Sequence, residues 1–140
     1  MTPVMDAASL NSLMAEIFPQ VAADFRVERV ASMEADVRLL VGDAHLRPGG
    51  TVSGPSMFAL ADLAMYAVLL AMIGPVALAV TTNASIDFMR KPEAGRDLIG
   101  RARLHKLGKT LAVGDVLITN EGAEAVLARS SMTYAIPPKR

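Results

Sequence analysis

In residues 6–18, DAASLNSLMAEIF, the positions Leu10, Leu13, Met14 and Ile17 recur at helical spacing between polar residues, which predicts a short amphipathic helix ending before Pro19. From Phe25 the period changes to two. Phe25 and Val27, then Met33, Ala35, Val37, Leu39 and Val41, alternate with Glu34, Asp36 and Arg38, the pattern of two half-buried strands in a hairpin. A loop over 42–55 leads into 55–73, a run whose only charge is Asp62 and which has no other consistent polar face, so it reads as a helix buried all round. In 76–90, Val76, Leu78, Val80, Ala84, Ile86 and Phe88 alternate with Thr81, Asn83, Ser85 and Asp87, which predicts a long strand with one core face. Three more alternating segments follow, 98–106, 111–119 and 124–135, joined through Leu107-Gly108-Lys109-Thr110 and Asn120-Glu121-Gly122. Connections this short make the sheet antiparallel. The expected architecture is α+β: a long buried helix wrapped by a curved antiparallel sheet of five or six strands. One domain is expected over 1–140, with an amino-terminal helix within 1–20 and a tail at 136–140.

The run Leu63 to Val80 is long enough to suggest a membrane span, but Gly74-Pro75 cuts it into helix formers before and strand formers after. No Lys or Arg lies within a turn of the helix, and the amino terminus has no charged region followed by an apolar core. A cytoplasmic protein that neither spans nor anchors to a membrane is the expectation. Hydrophobic residues make up 52% of the 140 residues before glycine is counted, above the roughly 45–50% usual for the apolar set that includes it. Without a membrane segment, that excess predicts a large interface between subunits. Fourteen basic against fourteen acidic residues give a net charge of zero with no basic block, which disfavours a nucleic-acid groove. The absence of cysteine removes thiol nucleophiles and thiolate metal sites, and the two histidines, His45 and His105, read as surface or loop residues rather than metal ligands.

Asp62 stands out because a carboxylate on an apolar helix costs several kcal/mol unless it is paired, solvated or used. Either the helix turns it toward solvent or an arginine at a subunit contact, or it is a functional acid. The loop Gly49-Gly50-Thr51-Val52-Ser53-Gly54-Pro55 ends at the helix start, with Ser53 placed as cap and Pro55 in the first turn. It is either a cap with a turn, or a set of free amides able to hold a carbonyl oxygen. Gly54 and Asp62 are eight residues apart, about 12 Å along a helix, so they can act on one atom only if two chains contribute. Gly108-Lys109-Thr110 lacks the earlier glycine of a phosphate loop, and Ser53 is not in a nucleophile elbow.

From His45 to Tyr134 the order of features resembles the PaaI-like acyl-CoA thioesterases of the hotdog superfamily. The features are Gly-Thr-Val-x-Gly ending the loop, Leu60-Ala61-Asp62 in the helix, Thr81 through Ile86-Asp87-Phe88-Met89-Arg90-Lys91-Pro92, the Gly108-Lys109 turn, and Thr133-Tyr134 in the last strand. The resemblance implies a hotdog fold, a homodimer that often pairs again into a homotetramer, and a site between subunits. It implies that Asp62 is nucleophile or general base toward the thioester, that the Gly54 amide polarises the carbonyl, and that Thr81 is a strand hydroxyl near the site. Arg90, Lys91 and Lys109 fall where coenzyme A phosphates are met, with Gly50 in the substrate-binding loop; no cofactor is implied beyond coenzyme A within the substrate. The chain departs from the family at two places. Ser53-Gly54-Pro55 replaces His-Gly-Gly, and Arg47 replaces an asparagine. Pro55 removes one amide but not that of Gly54. Ser53, which falls with Asp62, Gly54 and Thr81 in the catalytic set that the resemblance implies, can cap the helix but cannot replace an imidazole. Arg47 can pair with Asp62 across the interface or meet a substrate anion. The implied activity is acyl-CoA hydrolysis; the alternatives are a weakly active or inactive acyl-CoA-binding protein and, less favoured for want of a site histidine, a hydratase or dehydratase.

Overall fold

The computed structural model describes residues 1–138; the last two residues of the expected tail lie outside them. The helices are α1 (Ala7–Ile17), α2 (Pro19–Ala22) and α3 (Gly54–Ile73). The strands are β1 (Phe25–Ala31), β2 (Glu34–Leu39), β3 (Val80–Phe88), β4 (Leu98–Leu107), β5 (Leu111–Asn120) and β6 (Val126–Ala135). They form one antiparallel six-stranded sheet in the order β1-β2-β4-β5-β6-β3, curved around α3. This is the α+β hotdog arrangement that the sequence pattern and the resemblance predicted.

The period-two pattern places Ala35, Val37 and Leu39 of β2, Ala102 and Leu104 of β4, Val116 and Ile118 of β5, and Ala128 and Met132 of β6 against α3. Thirteen of the twenty residues of α3 are buried, Leu60, Leu69 and Leu70 completely. Burying each leucine is worth about 2–3 kcal/mol. By length and composition this helix could cross a bilayer, but its apolar surface is spent inside its own sheet. Two inward-facing glycines let the sheet approach. A Cβ on Gly100 would lie 3.1 Å from Leu60, and one on Gly114 would collide with the Arg103 carbonyl and the Met65 sulfur.

The structure departs from the expectations in four places. First, α3 is not buried all round: Pro55, Phe58 and Ala59 are exposed, on the same face as Asp62. Second, the strand predicted over 76–90 begins only at Val80, after a turn at 77–78, and none of its residues is buried. It is the sheet's edge, and α3 covers its inner side only in part: Thr81 meets Asp62, Ile86 packs against the core and Phe88 lies beside Gly54, while Phe88 stays 54% exposed. Third, Met33 belongs to the two-residue β1–β2 turn, with a left-handed φ of 61°. Fourth, Pro19 begins α2, producing an elbow where the pattern predicted a simple end. The amino-terminal helix itself packs as its apolar stripe requires, burying Leu10 and Met14. At the other end Ile136 donates its amide to the Thr110 carbonyl, 2.8 Å away.

Candidate functional site

Tyr134 and Thr81 are register partners on β6 and β3, so their side chains emerge together on the face toward α3. The register shifts between Thr81 and Asn83, a local irregularity of the kind that re-aims side chains next to functional sites. Asp62 points from α3 at the same spot. Its Oδ1 accepts from the Thr81 hydroxyl at 2.5 Å and from the Tyr134 hydroxyl at 2.8 Å, and Tyr134 also reaches the Asp62 carbonyl at 3.1 Å. Both donors converge on one carboxylate oxygen. Oδ2 has no protein donor among the described residues, so one oxygen is held and the other has no protein partner. Tyr134 is only 3% exposed, and its phenol is pushed well above the ordinary range by burial and then by the neighbouring Asp62 charge. It therefore remains a neutral donor. Tyr66 stacks on it, ring centroids 6.0 Å apart, and donates to the Ala77 carbonyl at 2.7 Å.

These groups open into a cavity of about 620 Å³ whose lining includes Asp62, Thr81, Tyr134, Leu63, Leu78 and Val80. The glycine loop lies elsewhere. Arg47 donates its amide to the Thr51 carbonyl and Gly50 donates to Arg47, a tight turn with both glycines at positive φ, closed by a Leu46–Val52 bridge. The turn delivers Ser53 to the start of α3, where its Oγ accepts from the Ser56 amide at 3.3 Å. Ser53 is thus the cap that the sequence suggested. Met57 donates to the Ser53 carbonyl and Pro55 has no amide, so among the described residues Gly54 alone in this first turn has an N–H without an acceptor. It faces a second cleft of about 470 Å³ formed with Arg47, Thr51, Phe88, Arg90 and Lys91.

The structure therefore sorts the sequence-derived residues into two groups within one chain. Asp62 and Thr81 meet in the first cavity, and Gly54, Arg47, Arg90 and Lys91 line the second. Gly50 sits in the turn above the second cleft with open space around it. Lys109 is exposed in the β4–β5 turn and lines neither. His45 is occupied in the loop, its Nδ1 accepting from the Gly42 amide at 2.9 Å and its Nε2 lying 3.3 Å from Asp24. Sequence reasoning missed Tyr134 as a partner of Asp62. Counting inward positions along β6, Ala128, Ser130, Met132 and Tyr134, would have found it on the helix-facing side. It also missed the aromatic lining that Phe18 and Phe25 bring to the Asp62 cavity, because nothing local ties residues 17–25 to residue 62.

Residues 49–127 match the family described as the thioesterase superfamily. A solved structure from Silicibacter sp. TM1040, described as a candidate thioesterase, is 61% identical, with 99% of this chain and 96% of that one covered and a TM-score of 0.92. The phenylacetic acid degradation protein PaaI of Thermus thermophilus is 30% identical over 84% of this chain and 97% of that one, TM-score 0.71. A Streptococcus mutans protein bound to acetyl CoA is 27% identical over 83% and 90%, TM-score 0.71. No curated protein matches the chain.

Proposed function

The chain belongs to the thioesterase superfamily, and from that premise we propose that it hydrolyses acyl-CoA thioesters at a site built from two copies of the chain. The carrying observation is the asymmetry of Asp62: Oδ1 is fixed by Thr81 and Tyr134 while Oδ2 stays free beside an apolar cavity. A carboxylate so held can take a proton from a water aimed at the thioester carbon. The Gly54 amide, unpaired at the positive end of α3, suits the carbonyl oxygen as charge develops on it. The tetrahedral intermediate then expels the thiolate, which recovers the proton from Asp62. In the variant that uses the same geometry, Oδ2 itself adds to the thioester carbon, the C–S bond breaks to release the thiolate, which takes a proton from water, and a second water cleaves the acyl anhydride to the free acid and Asp62.

Two copies are required in this reading because Asp62 and Gly54 line different clefts of one chain. The surface between those clefts favours association. Edge strand β3 pairs with β6 on one side and has no strand partner on the other, and Leu78 (79% exposed), Val80, Phe88 (54%) and Phe58 form an apolar margin along it. A second copy seated there would set its Gly54 cleft against Asp62, with Arg47, Arg90 and Lys91 offering charge to coenzyme A phosphates. The Streptococcus mutans relative bound to acetyl CoA supports coenzyme A as the carrier. We place the protein in the cytoplasm, as a homodimer able to pair into a tetramer.

Free-thiol release from acetyl-, hexanoyl-, decanoyl- and phenylacetyl-CoA tests the activity, and sedimentation at micromolar protein tests the assembly. The expected results are turnover of at least one thioester and no stable 14.8 kDa species. A well-behaved monomer that still turns over would remove the shared site; tight binding of every thioester with no thiol released would identify a binding protein instead. Tyr134→Phe removes one donor to Asp62 while keeping the ring. It should lower kcat about tenfold with KM nearly unchanged, the worth of one hydrogen bond to a charged group. A matched rise in KM would show that Tyr134 shapes the pocket rather than holding the acid.

A further inference from the structure

In the Asp62 cavity the polar side chains are gathered around the reactive carboxylate, and the remaining lining is almost wholly apolar. One wall consists of Ile17, Phe18, Val21 and Phe25, from the end of α1, the α1–α2 elbow, α2 and the start of β1. All four precede residue 49, where the family match begins. The elbow is held by backbone bonds. Phe18 donates its amide to the Met14 carbonyl at 2.8 Å, and its own carbonyl accepts from Val21 and Ala22 at 3.1 Å each. The Asn11 side chain fastens α1 to β1 through two bonds with the Val27 backbone, 3.0 and 2.8 Å. The Phe18 ring is left 38% exposed at the cavity, so its size can change without removing any bond that shapes the elbow.

We propose that this elbow is the acyl selector: Phe18 and Val21, backed by Phe25, set how long and how bulky an apolar acyl group can enter beside Asp62. The proposal rests on the thioesterase reading, since it takes the group held at Asp62 to be a thioester carbonyl. An acyl chain attached there must lie along the elbow wall, and each methylene buried against it strengthens binding about fourfold until the wall stops it. Acyl groups with charged or hydroxylated tails find no polar partner on this wall and are disfavoured. Leu63 and Tyr66, also in the lining, are buried in α3 against the sheet, where a change of size disturbs the fold. The elbow is therefore the part of the cavity free to differ between proteins that share the framework.

The test uses S-ethyl, S-hexyl, S-decyl and S-tetradecyl coenzyme A, thioethers that cannot be hydrolysed, titrated calorimetrically into the full chain. Wild type should bind more tightly with each lengthening and then level off. Phe18→Ala should move that limit to a longer chain, favouring the longer analogue by roughly tenfold over wild type, and Val21→Phe should move it shorter by a similar factor. Thiol release from the matching thioesters should follow the same order. An unchanged length profile in the folded variants, with thiol release intact, overturns the selector and leaves the thioesterase. A shifted binding profile with no thiol release from any form supports the selector and removes the thioesterase. If circular dichroism shows one variant unfolded, the other decides.

Discussion

Asp62→Asn is expected to lower kcat by about 10³-fold, within the range found when a positioned acid or base is removed, while the protein stays folded. The substitution is close to isosteric. The asparagine carbonyl can still accept from the Thr81 and Tyr134 hydroxyls, so the contacts that orient residue 62 survive. What is lost is the charge and the free oxygen: an amide nitrogen stands where Oδ2 would take a proton or attack the carbonyl. Stability should change little, because the residue is only partly buried and its neighbours keep their partners. Thiol release measured beside a thermal melt checks both halves. A variant that melts like wild type and retains its turnover would exclude Asp62 from the chemistry and leave the cavity as a binding site.

Gly54→Pro should cost about 10² to 10³ in kcat, the usual loss on deleting one oxyanion donor, without breaking α3. Proline is well suited to the first position of a helix, where its missing N–H is one of those the helix cannot pair. Ser53 before it is already extended, with φ −75° and ψ 157°, the region a residue preceding proline prefers. Added ring atoms would meet the Phe88 side chain, whose edge lies 3.4 Å from the position of a new Cβ and which is half exposed and able to yield. Gly54→Ala provides the control. It brings the same contact with Phe88 but keeps the amide, so a large loss in the proline variant alone isolates the donor. Equal losses in both would assign the effect to crowding at Phe88.

The periods of the hydrophobic pattern were enough to locate the buried helix, the hairpin and the order of antiparallel strands, because burial imposes a repeat of 3.6 or 2 wherever one face meets the core. Candidate chemistry was legible for the same reason in reverse. Asp62 breaks an apolar run, and Ser53-Gly54-Pro55 is recognisable helix-start chemistry, so both stood out against their surroundings. β3 shows where local pattern misleads. Its alternation is as regular as that of β2, yet β2 has residues buried under α3 while β3 meets that helix only in part and buries none, because its place at the sheet edge is set by pairing with β6, far away along the chain. Alternation records that a face is apolar, not what covers it.

The sequence by itself determined which segments pair their residues into faces, and it marked Asp62 and the loop around Gly54 as candidates for chemistry. Only the tertiary structure decided that Tyr134 and Thr81 hold Asp62 by one oxygen, that Gly54 opens into a different cleft, and that the α1–α2 elbow walls the cavity. The physical reason is range. Helix and strand periods come from bonds and side-chain spacings a few residues long, whereas a site is assembled by strand register and packing between residues tens of positions apart, which no local repeat encodes.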